Sequence, residues 1–458
     1  MEISSVTIFI FFALISTSCT NKMIDISSKD NIIYSDLASY STTEGTTLPV
    51  EGSVYIFTNT IHREIKNTIV PTNNGSGSWI NVTDNKIRFK ALRGLTDCAK
   101  DIQYLIDEGL ENGVIEFIFD EGTYTISQVS TPAGITIAGE GEVWLKKRAN
   151  CGKWSRMFTT QHRQYEGKVD SPLLTFKNLN IDGNRLNQGP YKKYQLEHQA
   201  MIFASANKAF AGRIKLLVED CHFKDGVGDA VAISVNVDAV VRDCSAVDVF
   251  RGAVTITGGH TIVKVDNLDA RGDVHKTGID VEIDGAAYRG SKKVDVEMRN
   301  LILQGDFDVG ITTGSFYGEN IIVENPPYTI VAKYGKVELV DCKFGAAPGG
   351  NCKIQYPKDV TFKNCEFTIR DSDREGTAIG ANIIWRTKYH KGVDQSLVFD
   401  NCIFKSELRN EKKNKKSLAI HNSPYDKDDG NLLKVVDCNF VNFDQGIAFK
   451  YGGSAIIE

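Results

Sequence analysis

The sequence predicts an all-β chain wound as a parallel β-helix solenoid, opened by a capping α-helix, and two observations carry that prediction. First, one short phrase returns along the chain: an acidic residue or Asn, then Cys or an aliphatic, inside a run of β-formers. It reads KNLNI at Leu179, VEDCHF at Cys221, VRDCSA at Cys244, VDNLDA at Leu268, RNLILQ at Leu301 and ENIIVE at Ile321. It continues as VDCKF at Cys342, KNCEF at Cys365, DNCIF at Cys402 and VDCNF at Cys438. Several neighbouring copies stand 20 to 24 residues apart, and wider gaps read as one turn plus an insertion. A fixed period of this size means repeats that cannot bury their own apolar side and must stack. Second, about ten residues after each phrase comes a short alternating strand: DAVAIS from Asp229, GAVTIT from Gly252, GIDVEI from Gly278, VGITTG from Val309. Alternation puts Val231, Ile233, Val254, Ile256, Ile279 and Val281 on one face and their neighbours on the other.

Three segments follow in chain order: a signal peptide over residues 1–18, a tether and N-terminal segment over 19–85, and the solenoid over 86–458. Residues 6–15, VTIFIFFALI, are too short to span a bilayer and have the length of a signal-peptide core. Ser16-Thr17-Ser18 leads into Cys19, which resembles a bacterial lipoprotein signal. That resemblance implies a lipidated Cys19 as mature N-terminus and a body held at the cell envelope by its lipid alone, with plain secretion as the alternative. Two departures stand out: Glu2 replaces a basic n-region, and Ser16 occupies the position three before the cysteine.

In TDCAKDIQYLIDEGLENG, Cys98, Ile102, Leu105, Ile106 and Leu110 make an amphipathic helix over 97–110, with Asp97 as N-cap and Gly113 as stop. Next come VIEFIFDEGTYTI and GITIAGEGEVWLKK. Thr96-Asp97, the helix, Gly113-Val114, Gly122-Thr123-Tyr124, Gly139-Glu140-Gly141 and Asp182-Gly183-Asn184 together resemble the opening of the pectate-lyase-like right-handed β-helix superfamily. The resemblance covers residues 87–458 and implies a right-handed helix. It leaves the reaction open, because lyases, hydrolases, epimerases and phage tailspikes share the fold.

Beyond Cys19 there are nine cysteines, six of them at the phrase position. Equivalent inward positions of stacked turns lie about 4.8 Å apart with parallel side chains, which makes a column of buried thiols rather than disulfides. The net charge of −5 argues against a nucleic-acid partner. The basic, aromatic stretch 148–171 and the stretches 370–395 and 405–416 fit no repeat and read as loops or cleft walls.

Titratable residues concentrate around TGIDVEIDG. Asp280 and Glu282 share one strand face, about 6.5–7 Å apart at Cα. Arg251, Asp229, Arg271, Asp273, His275 and Lys276 stand nearby in the repeat, and Lys333 takes the corresponding outward place of a later turn. The strand alignment also places Thr312 and Gly314 beside Asp280 and Glu282. A lyase acting on an acidic, uronic-acid polysaccharide needs a base and a cation that neutralises the sugar carboxylate. Asp280 and Glu282 then suit Ca²⁺. His275, Lys276, Arg251 and Lys333 supply the catalytic groups, and Arg271 and Asp229 contact substrate. This looks like the arrangement in alginate-lyase and chondroitinase-B-like families. A hydrolase or epimerase would use the carboxylates as acid and base. Here the polygalacturonase Gly-Asp-Asp turn has one Asp, in Gly228-Asp229-Ala230. A non-catalytic glycan-binding protein is the third reading.

Overall fold

The computed structural model describes residues 47–50, 53–58, 69–71, 78–161, 163–189, 198–206, 210–272, 278–283, 293–305, 307–311, 313–324, 335–348, 350–355, 358–370, 379–386, 395–407, 416–422, 431–449 and 454–458. The chain divides into two compact units, Met1–Thr83 and Asp84–Glu458. In the first, strands Thr47–Val50, Ser53–Thr58, Ser78–Asn81 and Ile69–Pro71 pair antiparallel in that order. Tyr55, Phe57, Ile69 and Ile80 are buried there.

The second unit is the parallel β-helix. Its central turns contain 11-residue strands, Ile214–Lys224, Val237–Val247, Thr261–Arg271, Val294–Gln304 and Gly314–Glu324, each paired in parallel with the next. Every one bends at a left-handed residue: Asp220 (φ 48°), Asp243 (54°), Asn267 (53°), Asn300 (56°), Asn320 (53°). Later turns keep the bend at Asp341, Asn364, Asn401 and Asp437. This is the reason for the repeated phrase. The corner demands φ > 0, and among residues with side chains Asn and Asp tolerate it best. The corners also bond to one another. Asn267 Nδ2 donates to Asp243 Oδ1 at 2.7 Å, Asn300 to Asp266 at 2.8 Å, and Asn320 to Asn300 at 2.8 Å. Asn364 donates to Asp341 and Asn401 to Asn364, each at 2.9 Å.

The residue after each corner turns inward. Leu179 registers with Cys221, Cys244 with Leu268, Leu268 with Leu301, and Leu301 with Ile321, forming the expected column. The cysteines in it are free and nearly all fully buried. Two positions further on, Phe344, Phe367, Phe404 and Phe440 stack with centroids 5.0, 5.2 and 5.1 Å apart.

A third sheet closes each central turn. Its strands run in the order Phe307–Ile311, Ile279–Ile283, Gly252–Ile256, Asp229–Ile233, Ile202–Ala204, Phe158–Thr159, Val129–Ser130. Ile202, Val231, Val254, Ile279 and Phe307 register inward and are buried. Gly350–Gln355, Ile379–Arg386, Lys416–Asn422 and Gln445–Phe449 form a further parallel sheet in the later turns.

The helix runs Ala99–Glu111 and buries Ile102, Leu105 and Ile106. The N-cap position is Cys98, one residue after the expected Asp97; Asp97 Oδ1 accepts from Ala99 N and from Ser127 N, both at 3.1 Å, and so ties the helix start to the first turns. Gln103 meets the end strand of the third sheet directly, its amide donating to Ser130 O (3.1 Å) and accepting from Ser130 N (2.6 Å). A side chain thus satisfies backbone groups that an open edge would leave bare. Gly109 permits the close approach: a Cβ there would stand 2.7 Å from Ile87 Cδ1.

Candidate active site on the third sheet

The outward column of the third sheet reads Thr159, Phe203, Ala232, Thr255, Asp280, Asp308 in register. Small and hydroxyl side chains give way to carboxyls, and at that point a guanidinium enters. Arg251 precedes its strand by one residue. Its Nη1 contacts Asp229 Oδ2 at 3.3 Å, and its Nη2 contacts Glu282 Oε2 at 2.5 Å and Asp280 Oδ2 at 3.7 Å. Asp229, 2% exposed, also accepts from Thr255 Oγ1 at 2.6 Å. Gly252 makes this possible, since a Cβ there would lie 2.7 Å from Thr255 Oγ1.

The carboxyls differ in environment. The Asp280 side chain is 10% exposed, that of Glu282 47%. Burial raises the pKa of Asp280 to about 8, and the charges of Glu282, Asp308 and Asp229 push the same way while Arg251 opposes them. Near neutral pH, Asp280 is therefore largely protonated. It sits beside the exposed carboxyl of Glu282, held at the same guanidinium nitrogen. Two carboxyls with environments this different can divide acid and base roles.

The column continues toward the N-terminal turns with an aromatic and cationic strip. Arg156, in the non-repeat stretch, lies over Phe203, its guanidinium carbon 3.5 Å from the ring centroid. Trp154, 58% exposed, stacks on His198 with centroids 4.3 Å apart. The hollow of about 390 Å³ lined by Trp144, His222, Lys224, Ser245 and Asp248 lies on the outer face of the corner-following strands instead. Its lining includes none of Asp229, Arg251, Asp280 and Glu282, and it is on the third sheet that these titratable side chains gather.

Of the residues singled out from sequence, Asp229, Arg251, Asp280 and Glu282 meet. Four expectations need correction or stand apart. Asp280 does not share the exposure of Glu282: neighbouring carboxyls and Arg251 take it out of water. Arg271 is not drawn into the cluster. It ends strand Thr261–Arg271 and pairs with Asp269 (2.6 Å) and Glu324 (3.8 Å). The partners of Asp280 and Glu282 on the next strand are Asp308 and Gly310, not Thr312 and Gly314. His275, Lys276, Lys333 and Cys19 lie outside the described residues, as do Asp273 and Thr312. Asp308 and Arg156 were not foreseen.

The Ca²⁺ expectation fits these residues poorly. The Arg251 guanidinium already contacts both Asp280 and Glu282, in the place a shared cation would take. Among the described residues no group of three or more His, Cys, Asp or Glu is arranged to hold a metal ion.

No protein-family model matches the chain, and no curated protein matches it by sequence. Solved structures do. The A-module of a mannuronan C-5 epimerase from Azotobacter vinelandii superposes with a TM-score of 0.51 at 15% identity, covering 80% of this chain and 97% of that one. A tailspike protein of Acinetobacter baumannii bacteriophage Fri1, a capsular polysaccharide depolymerase, gives 0.44 at 10% identity over 94% and 74%. A polygalacturonase from Erwinia carotovora gives 0.42 at 9% over 88% and 100%. The fold is the right-handed parallel β-helix.

Proposed function

We propose that the protein cleaves a polysaccharide by glycoside hydrolysis along the outward face of the third sheet. The observation that carries this is the carboxyl pair on Arg251, one nearly buried at Asp280 and one exposed at Glu282, with burial raising the pKa of Asp280. In this reading Asp280 gives its proton to the glycosidic oxygen as the carbon–oxygen bond breaks. Glu282 is the ionised partner, either attacking the anomeric carbon or taking a proton from water, and product stereochemistry tells the two apart. Arg251 is a positioning residue that contacts both carboxyls and orients them. The solved structure with the TM-score of 0.51 is an epimerase of mannuronan, and its sharing this fold supports a glycan as substrate.

β-Elimination is less well supported. Arg251 already faces three carboxyls, so its charge is not available to neutralise a sugar carboxylate. A lipid-anchored location through Cys19 fits a polymer substrate met outside the cell, and Cys19→Ala releasing the protein from membranes would test it.

The decisive experiment is a polysaccharide panel read both for reducing ends and for the ultraviolet absorbance of unsaturated ends. Hydrolysis yields the first without the second. Asp280→Asn and Glu282→Gln should each lower turnover by roughly 10²–10⁴-fold in a folded protein. Unsaturated ends, or full activity in Asp280→Asn, would overturn the assignment.

A further inference from the structure

Arg156 is the unusual residue of the strip. It is 9% exposed, and its Nε has no hydrogen-bond partner. Nη1 donates to Gln161 Oε1, and among the described residues no carboxylate pairs with the guanidinium. Asp229 acts on it only as a more distant negative charge. Arg88, Arg148, Arg163, Arg242, Arg251, Arg271 and Arg299 each sit against an Asp or Glu, whereas Arg156, at 9% exposure, does not. A buried guanidinium left without an anion is costly, so a fold that keeps one in place has a use for it. The Arg156 guanidinium packs on the Phe203 ring, and Phe203 belongs to the outward column that ends in Asp280 and Asp308. Three strand spacings separate Phe203 from Asp280, about 14 Å along the sheet.

With Nη1 engaged by Gln161, the edge of Arg156 formed by Nε and Nη2 remains. That edge is a fork of two parallel N–H donors, the arrangement that takes both oxygens of a planar carboxylate. We infer that Arg156 is a subsite for the carboxylate of a uronic-acid unit, a few sugar rings from the bond cut at Asp280, and that it selects acidic over neutral glycans. The inference rests on the third sheet being the glycan-binding face.

Binding separates the two claims. The probes are polygalacturonate, polymannuronate and polyguluronate, each with its carboxyl-reduced neutral counterpart, run in affinity electrophoresis. The proteins are the wild type and the full-length Asp280→Asn/Glu282→Gln double variant. At least one polyuronate should bind both proteins at least tenfold more tightly than its reduced form. Arg156→Gln should weaken that polyuronate roughly ten- to a hundredfold and leave the neutral form unchanged, with Arg156→Lys in between because it keeps the charge and loses the fork. Carboxylate-dependent binding without hydrolysis would sink the proposed reaction and keep this subsite. Equal binding of reduced and unreduced polymers by the wild type would overturn the subsite whatever the variants do. So would equal losses for both polymers in Arg156→Gln, or no binding to any of the three polyuronates.

Discussion

Asp280 and Asp308 stand in register on neighbouring strands of the third sheet, two carboxyl side chains on one outward column. The charge of Asp308 helps to hold the proton on Asp280. Asp308→Asn should therefore lower the pKa of Asp280 and move the alkaline limb of the pH–activity profile toward acid, without removing activity. An unmoved limb would mean that burial alone sets this group.

The same carboxyl makes stability depend on pH, with a sign that can be worked out. Unfolded, Asp280 titrates near 3.8; folded, near 8. Between those values the folded state binds more protons, so this group's contribution falls as pH rises and is lost above about pH 8. Asp280→Asn should remove that slope. Relative to wild type, the variant should gain a few degrees in Tm at pH 8.5 compared with pH 5. Parallel melting curves at the two pH values would refute it.

Much of this was legible beforehand, and the failures have physical causes. The period and the alternation report which side chains face inward, so the Cys and Val/Ile columns and the capping helix were readable. Register is different. Sliding a strand by an even number of residues keeps every side chain on its face, so the pattern could not distinguish Asp308 from Thr312 as the neighbour of Asp280. Burial of Asp280 escaped for a related reason: an outward position is exposed only if nothing crosses it, and Arg251 reaches it from the adjoining turn. Arg156 sits in a stretch with no repeat to place it. The recurring Asn or Asp before each Cys was visible as a pattern, but its left-handed backbone was not.

Arg251 holds its neighbours in place by compensating them. Arg251→Met should cost about 3–5 kcal/mol in denaturant unfolding, because it leaves buried Asp229 without its cation. Combining it with Asp229→Asn should recover part of that loss. A cost below 1 kcal/mol would show that the carboxyls simply take up protons.

The corner residues offer a separation of backbone from side chain. Asn300 has φ 56°, donates to Asp266 and accepts from Asn320. Asn300→Ala should destabilise by about 2–3 kcal/mol, combining left-handed strain with lost hydrogen bonds, and Asn300→Gly by about 1 kcal/mol less. Equal values for Ala and Gly would place the whole effect in the hydrogen bonds.

The thiol column should be chemically silent in the folded protein. Burial pushes the Cys244 thiol up to about 12 and that of Cys221 higher still. Iodoacetamide should modify Cys221, Cys244, Cys342 and Cys365 only after denaturation, as mapped by mass spectrometry. Rapid labelling in native buffer would show that the turns open locally.

The Phe344, Phe367, Phe404 and Phe440 stack gives this end of the solenoid a peculiar kinetic problem. Each corner there offers the same Asp or Asn, each inward place the same Cys, and each following place the same ring. A strand that docks one whole turn too early therefore finds an almost perfect counterfeit of its own seat. The middle of the helix is less ambiguous, because Phe223, Ala246, Ala270, Leu303 and Val323 occupy the equivalent places and, apart from the two alanines, differ in volume. Sequence diversity along that column works as an address, and its absence near the C-terminal end makes correct winding there depend on the turns before it having formed first.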